Sequence, residues 1–313
     1  MAPGRREVLV SCLLLSLTAL FWAGNIVLGR AVIPGFNPGT GLPPLGLNFW
    51  RWLGALAVLA PVALRPAWRA RRVIRRDWKI LALLGLLGIA GFNSFAYTAF
   101  QTTTAINAAL LNATMPIMII ALAIAAFRDP VGPRQAAGLV LSFAGTLVIL
   151  CHGDAGVLAG LAFVAGDLWM TLGVAVYALY SVLLRYRPPE LDGATLLFVV
   201  IGFGVLWMVP VYGAETLLVR AMPVNAVSVA TVAYVAVFPS VLAYAFWNRG
   251  TLVLGPARAS LFTHLVPVFT ALLAIAFLGE SLHAYHGAGM ALVFAGLVVA
   301  NRPGPAARQA APG

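Results

Sequence analysis

The chemistry this sequence can offer starts from two polar residues, each four positions before a proline. Asn112 precedes Pro116, and Thr263 precedes Pro267, inside apolar runs. Proline has no N–H, so the helical carbonyl four residues earlier loses its partner. Each pair therefore presents a carbonyl and a polar side chain at one level of its run. Matched interruptions of this kind in two halves of a chain mark small-ligand sites between helices. A packing kink satisfied by a neighbouring helix explains either proline taken alone. The pairing is what gives the site reading equal weight.

Other polar and aromatic residues fall on helical stripes, at steps of three or four, where they can stack on or hydrogen-bond a ligand. Trp22 and Asn25 share one stripe, Asn93, Tyr97 and Gln101 a second, and Tyr177 and Tyr180 a third. Tyr244 and Trp247 form a fourth, and Thr263 and His264 accompany Pro267 on a fifth. Trp22 and Trp247 would equally suit a membrane-interface belt. Arg51 could attract a carboxylate or phosphate, although snorkelling to lipid headgroups is commoner for such an arginine. His264 could titrate near neutral pH, but a lone helical histidine is more often a structural hydrogen-bonder. Glu280, His283 and His286 have helical spacing, yet a helix-end role suits Glu280 better than metal ligation. Cys12 and Cys151 both sit in apolar runs and suggest neither a disulfide nor a metal site. No metal or cofactor is expected. No carboxylate lies deep in an apolar run, so the acidic relays of many proton-driven carriers are missing.

These residues are held by a duplicated frame. Ala105–Leu150 returns without a gap at an offset of 151 residues, pairing Ala108 with Ala259, Pro116 with Pro267 and Asp129 with Glu280. The same offset pairs Gly138 with Gly289, Phe143 with Phe294 and Gly145 with Gly296. A weaker match lays Ala19–Arg30 against Val174–Arg185. Internal duplication of this kind sets the architecture.

Hydrophobic residues make up 62% of the chain and charged ones only 9%, which excludes a soluble domain of 313 residues. The expected class is all-α integral membrane. Runs of about 20 apolar residues suffice to span a bilayer. Ten are expected, near 8–29, 45–64, 80–99, 105–127, 134–151, 166–184, 194–213, 227–247, 256–278 and 284–301. The first follows Arg5 and Arg6 as a signal peptide would, but it is long and lacks a small-x-small cleavage site, so it reads as a span. The expected organisation is one five-span repeat over 1–151, a second over 152–303 and a disordered cytoplasmic tail over 304–313. A five-span unit inverts its copy across the membrane, giving two inverted repeats around a central cavity.

The net charge of +11 supports this arrangement rather than a nucleic-acid partner. With the N-terminus inside, seventeen of the twenty basic residues fall on the cytoplasmic side, and only Arg30, Arg51 and Arg220 lie in the outer half. Arg65–Lys79 is the densest basic stretch, with Trp68 and Trp78 as interfacial anchors. A topology-fixing loop is its simplest reading, ahead of specific anionic-lipid binding. Both termini are then cytoplasmic, in a plasma membrane of bacterial inner-membrane type. A Gly/Pro-rich outer link, Pro34–Pro44, joins the first two spans.

Several stretches together resemble the drug/metabolite transporter superfamily, specifically its EamA-type exporters. They are Phe21–Arg30, the Pro116 run ending in FRDP, Gly166–Arg185, Phe238–Gly250, Gly255–Phe269 and Phe277–Ser281. The first copy has RDP where the family usually has GE. The resemblance implies spans one to four and six to nine around the cavity, with five and ten peripheral. It implies export of amino acids or related metabolites without choosing a substrate. The partners expected are a small-molecule substrate and the bilayer, with no nucleic acid, and either a monomer or a homodimer is compatible. The competing readings are a non-transporting receptor or scaffold and an exporter of drug-like cations. A membrane enzyme would need a nucleophile–base pair or metal cluster, and none is visible.

The charge pattern makes a direct prediction. Cysteines placed at Asp154 and Glu215 should label from outside intact cells, and those at Asp77 and Glu190 should not. Labelling of position 77 from outside would overturn the topology.

Overall fold

The computed structural model describes residues 4–32, 41–128, 131–278 and 281–301. Asp129, Glu280, the tail over 304–313 and most of the Pro34–Pro44 link lie outside the described residues.

All regular structure among the described residues is helical. Ten helices are long and apolar enough to cross a membrane. They are Arg6–Leu28, Pro44–Arg69, Trp78–Ala99, Asn107–Phe127, Pro133–Leu150, Ala165–Tyr186, Gly193–Leu218, Ala226–Leu254, Pro256–Phe277 and Ala284–Asn301, called spans one to ten below. The expected boundaries agree except where spans two, seven and eight run further. Hydropathy marks where the apolar run ends, whereas helix continues while propensity allows, and arginine and alanine are good helix formers. Arg65 and Arg69 therefore extend span two, and Arg71–Arg76 forms a short helix rather than an open loop.

Several starts are fixed by side chains that accept otherwise orphaned N–H groups. Thr104 caps the start of span four through Asn107 N at 3.1 Å. Asp192 accepts from Ala194 N and Thr195 N, each at 3.0 Å. Asn225 accepts from Ser228 N at 2.9 Å. Span two begins after Pro43, which cannot cap, so a distant carboxylate takes over: Glu215 accepts from Leu45 N at 3.1 Å and Gly46 N at 2.6 Å. Glu215 is thereby buried, which blocks its labelling and leaves Asp154 as the reporter for that end.

Spans five and ten pack on each other through small residues. A Cβ added to Gly138 would lie 2.5 Å from the Gly296 carbonyl oxygen, and one on Gly145 would lie 2.6 Å from that of Gly289. Under the 151-residue offset Gly138 corresponds to Gly289 and Gly145 to Gly296. Equivalent residues thus pair crosswise, as a twofold axis between two antiparallel helices requires.

Irregular backbone recurs at the same offset. Span three contains a π-helical stretch, Gly85–Gly91, and span eight contains Val237–Leu242. Span four breaks at Thr114, and span nine passes through a 3₁₀ stretch, Leu261–His264, capped by Leu265. Pro116 and Pro267 are therefore not kinks within continuous helices. Each stands in the first turn of the segment that follows, where a missing N–H costs nothing.

The two ends of the bundle differ. At the basic end Arg76 holds Glu190 at 2.8 Å, and Arg249 reaches Glu7 at 3.5 Å. At the opposite end buried Asp167 ties the start of span six to Thr103 and to Asn107 Nδ2, the latter at 3.0 Å.

Gly145→Val should overpack the span five–ten contact and cost about 1–3 kcal/mol, read as a lower unfolding temperature in detergent. Gly202→Ala, whose added Cβ meets no heavy atom within 4 Å, should keep or raise it. An unchanged transition for Gly145→Val would show that the close approach is not needed.

Candidate functional site

The interrupted spans surround a cavity of about 210 Å³. Of the residues singled out by spacing, Trp22, Asn25, Asn93, Tyr97, Asn112, Tyr177, Tyr244, Thr263 and Pro267 line it. Asn112 and Thr263 thus meet on one cavity although 151 residues separate them. At each break an N–H turns back to the carbonyl three residues earlier, Thr114 to Leu111 and Leu265 to Phe262.

Four candidates and one proline lie off the cavity, each for an identifiable reason. Gln101 is past the last turn of span three and exposed. His264 points to span five, with Nδ1 2.7 Å from Ser142 Oγ and Nε2 3.2 Å from the Ala113 carbonyl. A carbonyl only accepts, so Nε2 carries the proton. Tyr180 donates to Asn248 Oδ1 at 2.7 Å, and Trp247 Nε1 donates to Ser181 Oγ at 3.3 Å. Both are buried on the basic-loop side of Tyr177 and Tyr244, so Trp247 is not a belt residue. Pro116 is buried in its helix start.

Tyr180 and Trp247 belong to an aromatic floor. Trp22 meets Tyr177 and Trp247 with ring centres 5.6 and 5.3 Å apart. Tyr177 meets Tyr180 at 5.5 Å and Tyr244 at 5.9 Å. Tyr244 hydroxyl donates to the Gly88 carbonyl at 2.6 Å, within the π stretch of span three. From this floor the lining runs to exposed His152 at the end away from the basic loops.

Arg51 corrects the snorkelling reading. It is 1% exposed and lines the cavity. Its Nε donates to Ser240 Oγ at 2.5 Å and its Nη2 to the Pro239 carbonyl at 2.9 Å. Its Nη1 donates to Asn93 Oδ1 at 2.9 Å and to Tyr97 hydroxyl at 3.0 Å. Tyr97 hydroxyl donates in turn to Asn25 Oδ1 at 3.2 Å. Buried polar atoms normally have partners, yet four residues on the cavity wall carry one without: Asn93 Nδ2, Asn112 Oδ1, Tyr177 hydroxyl and Thr270 Oγ1.

Sequence spacing missed Thr270, although it extends the stripe of Thr263 and Pro267 by three residues. It also missed His152, Tyr285 and His286, at the ends of spans five and ten. Those spans were expected at the periphery, but their ends away from the basic loops border the cavity mouth. Helical periodicity carries no signal for residues that reach a site from a helix end.

Known proteins resemble this chain over most of its length. An uncharacterized transporter, YyaM, from Bacillus subtilis is 26% identical over 90% of this chain and 90% of its own. An uncharacterized transporter from Archaeoglobus fulgidus is 26% identical over 91% of this chain and 95% of its own. A probable terminal-alkyne amino-acid exporter from Streptantibioticus cattleyicolor is 26% identical over 92% of each chain. A solved crystal structure superposes with a TM-score of 0.71 at 22% identity, covering 95% of this chain and 96% of that one, and so shares the fold. The model of the EamA-like transporter family matches residues 9–151 and again 164–302, and the chain, with its ten apolar helices, belongs to that family.

Proposed function

We propose that this membrane transporter exports a small amino acid or related metabolite by alternating access, from a site between two inverted five-span repeats over 1–151 and 152–303. The observation that carries the reading is the cavity wall, where an apolar bundle leaves buried polar atoms of Asn93, Asn112, Tyr177 and Thr270 without protein partners. A volume of about 210 Å³ is below the roughly 300–1,000 Å³ of pockets that hold drug-sized ligands. That favours a small metabolite over a drug-like cation. The crosswise pairing of equivalent glycines and the recurring helix breaks support the inverted repeat. The amino-acid substrate named for the Streptantibioticus cattleyicolor relative points the same way.

With the basic loops in the cytoplasm of an inner-membrane cell, the cavity faces outward and the aromatic floor seals its inner side. Alternating access then requires Trp22, Tyr177, Tyr180, Tyr244 and Trp247 to part as the His152–Tyr285 end closes. Asn112 and Thr263 sit where the two halves meet, at the level that such motion leaves in place.

Purified protein in liposomes should carry at least one small neutral or aromatic amino acid saturably. Saturable flux of amines and drug-like cations alone would favour the cation exporter, and no flux of any kind would favour a receptor or scaffold. Losing one hydrogen bond to a buried ligand costs about 0.5–1.5 kcal/mol, so Asn112→Ala and Thr263→Ala should weaken binding from a few-fold to about tenfold while the protein stays folded. His264→Gln, off the cavity, should keep most of the flux. Unchanged affinity in both Asn112→Ala and Thr263→Ala would remove these residues from the site.

A further inference from the structure

We infer that the buried Arg51–Asn93 pair is an anchor for a carboxylate, so that the transported molecule carries a carboxylate group on the span two–three side of the cavity. This rests on the reading of the cavity as a substrate site.

Arg51 is a charged group at 1% exposure that lines the cavity. Its hydrogen-bond partners are all neutral: Ser240, Pro239, Asn93 and Tyr97. Among the described residues no carboxylate lies within ion-pair distance of it, and the recorded ion pairs belong to Arg76 and Arg249. A buried cation that is hydrogen-bonded but not neutralised favours an anion in the space beside it. The donors beside that space suit a carboxylate. Two N–H groups of Nη1 and the single N–H of Nε are taken, and Nη2 has one bond, leaving one guanidinium N–H. Asn93 gives its oxygen to Arg51, which orients its amide nitrogen away as a second donor, buried beside the Tyr244 hydroxyl without a formed hydrogen bond to it. Two donors and one positive charge match two oxygens and one negative charge. A phosphate or phosphonate dianion would bring a second charge and a third oxygen, and among the described residues Arg51 is the one arginine or lysine on the cavity lining. A cation would meet the guanidinium and be repelled. Elsewhere on the lining Asn112 Oδ1, Tyr177 hydroxyl and Thr270 Oγ1 lack protein partners and can take an ammonium or other donor of the same molecule.

Benzoate, benzamide, benzylamine and phenylphosphonate share one ring and differ in head group. Titrated calorimetrically into the detergent-purified full chain, benzoate should bind at least tenfold more tightly than each of the other three. Arg51→Gln removes four hydrogen bonds and is expected to unfold, so the informative variant is Asn93→Asp. It is nearly isosteric, supplies Arg51 with an internal counter-ion and replaces the free donor by an acceptor. It should keep or raise the unfolding temperature and weaken benzoate at least tenfold. The inference is overturned if benzoate does not bind, binds no better than benzamide, or binds folded Asn93→Asp as well as the parent. Tighter binding of phenylphosphonate would overturn the choice of carboxylate. Amino-acid flux in liposomes without benzoate binding would refute this anchor and leave the carrier reading intact. Benzoate binding without any flux would support the anchor and remove the carrier reading.

Discussion

A guanidinium deep in an apolar bundle has to be solvated by the protein itself, because stripping a charge of water costs several kcal/mol. Arg51 meets that requirement with partners from two other spans: Asn93 and Tyr97 on span three, and Pro239 and Ser240 on span eight. Its guanidinium also lies 5.0 Å from the centre of the Trp52 ring. Span eight is deformed in the way this solvation needs. Pro239 has no N–H, so the carbonyl of Val235 is released. Ser240 hydroxyl donates to that carbonyl at 2.6 Å, which leaves its oxygen free to accept from Arg51. The π stretch in turn presents the Pro239 carbonyl sideways to the same cation. One proline, one serine and one arginine form a single unit.

The same economy governs the rest of the interior. Lipid offers no hydrogen bonds, so helix irregularity persists only where protein or a water-filled cavity answers it. Each irregular stretch has such an answer. The π stretch of span three gives the Gly88 carbonyl to Tyr244. The break in span four gives the Ala113 carbonyl to His264 of span nine, so the two interruptions hold each other. Ten buried side-chain atoms remain without a partner among the described residues, and four of them belong to cavity-lining residues: Asn93, Asn112, Tyr177 and Thr270.

Spacing read the frame well and the site unevenly. A span must supply about 20 apolar residues whatever it packs against, so all ten could be seen in the chain. The Asn112–Pro116 and Thr263–Pro267 pairs were legible for a similar reason, since a missing N–H is a property of proline and not of its surroundings. Depth and facing were not. Tyr180 and Trp247 share stripes with Tyr177 and Tyr244, but one further turn carries them from the wall into the floor. His264 neighbours Thr263, yet a rotation of about 100° per residue turns it to Ser142 of span five. Arg51 could have climbed to the headgroups had its helix been turned the other way.

The sequence alone therefore determined that this chain spans a membrane with ten helices, that its basic residues gather at one end, and that its halves share interrupted spans. Each of those follows from one residue's own chemistry or from composition summed along the chain. Only the tertiary structure decided that Arg51 is buried, that spans three and eight open into π helix, and which polar atoms face the cavity. A helix has the same sequence at every rotation about its axis, and its neighbours select the rotation by where they place acceptors and small residues.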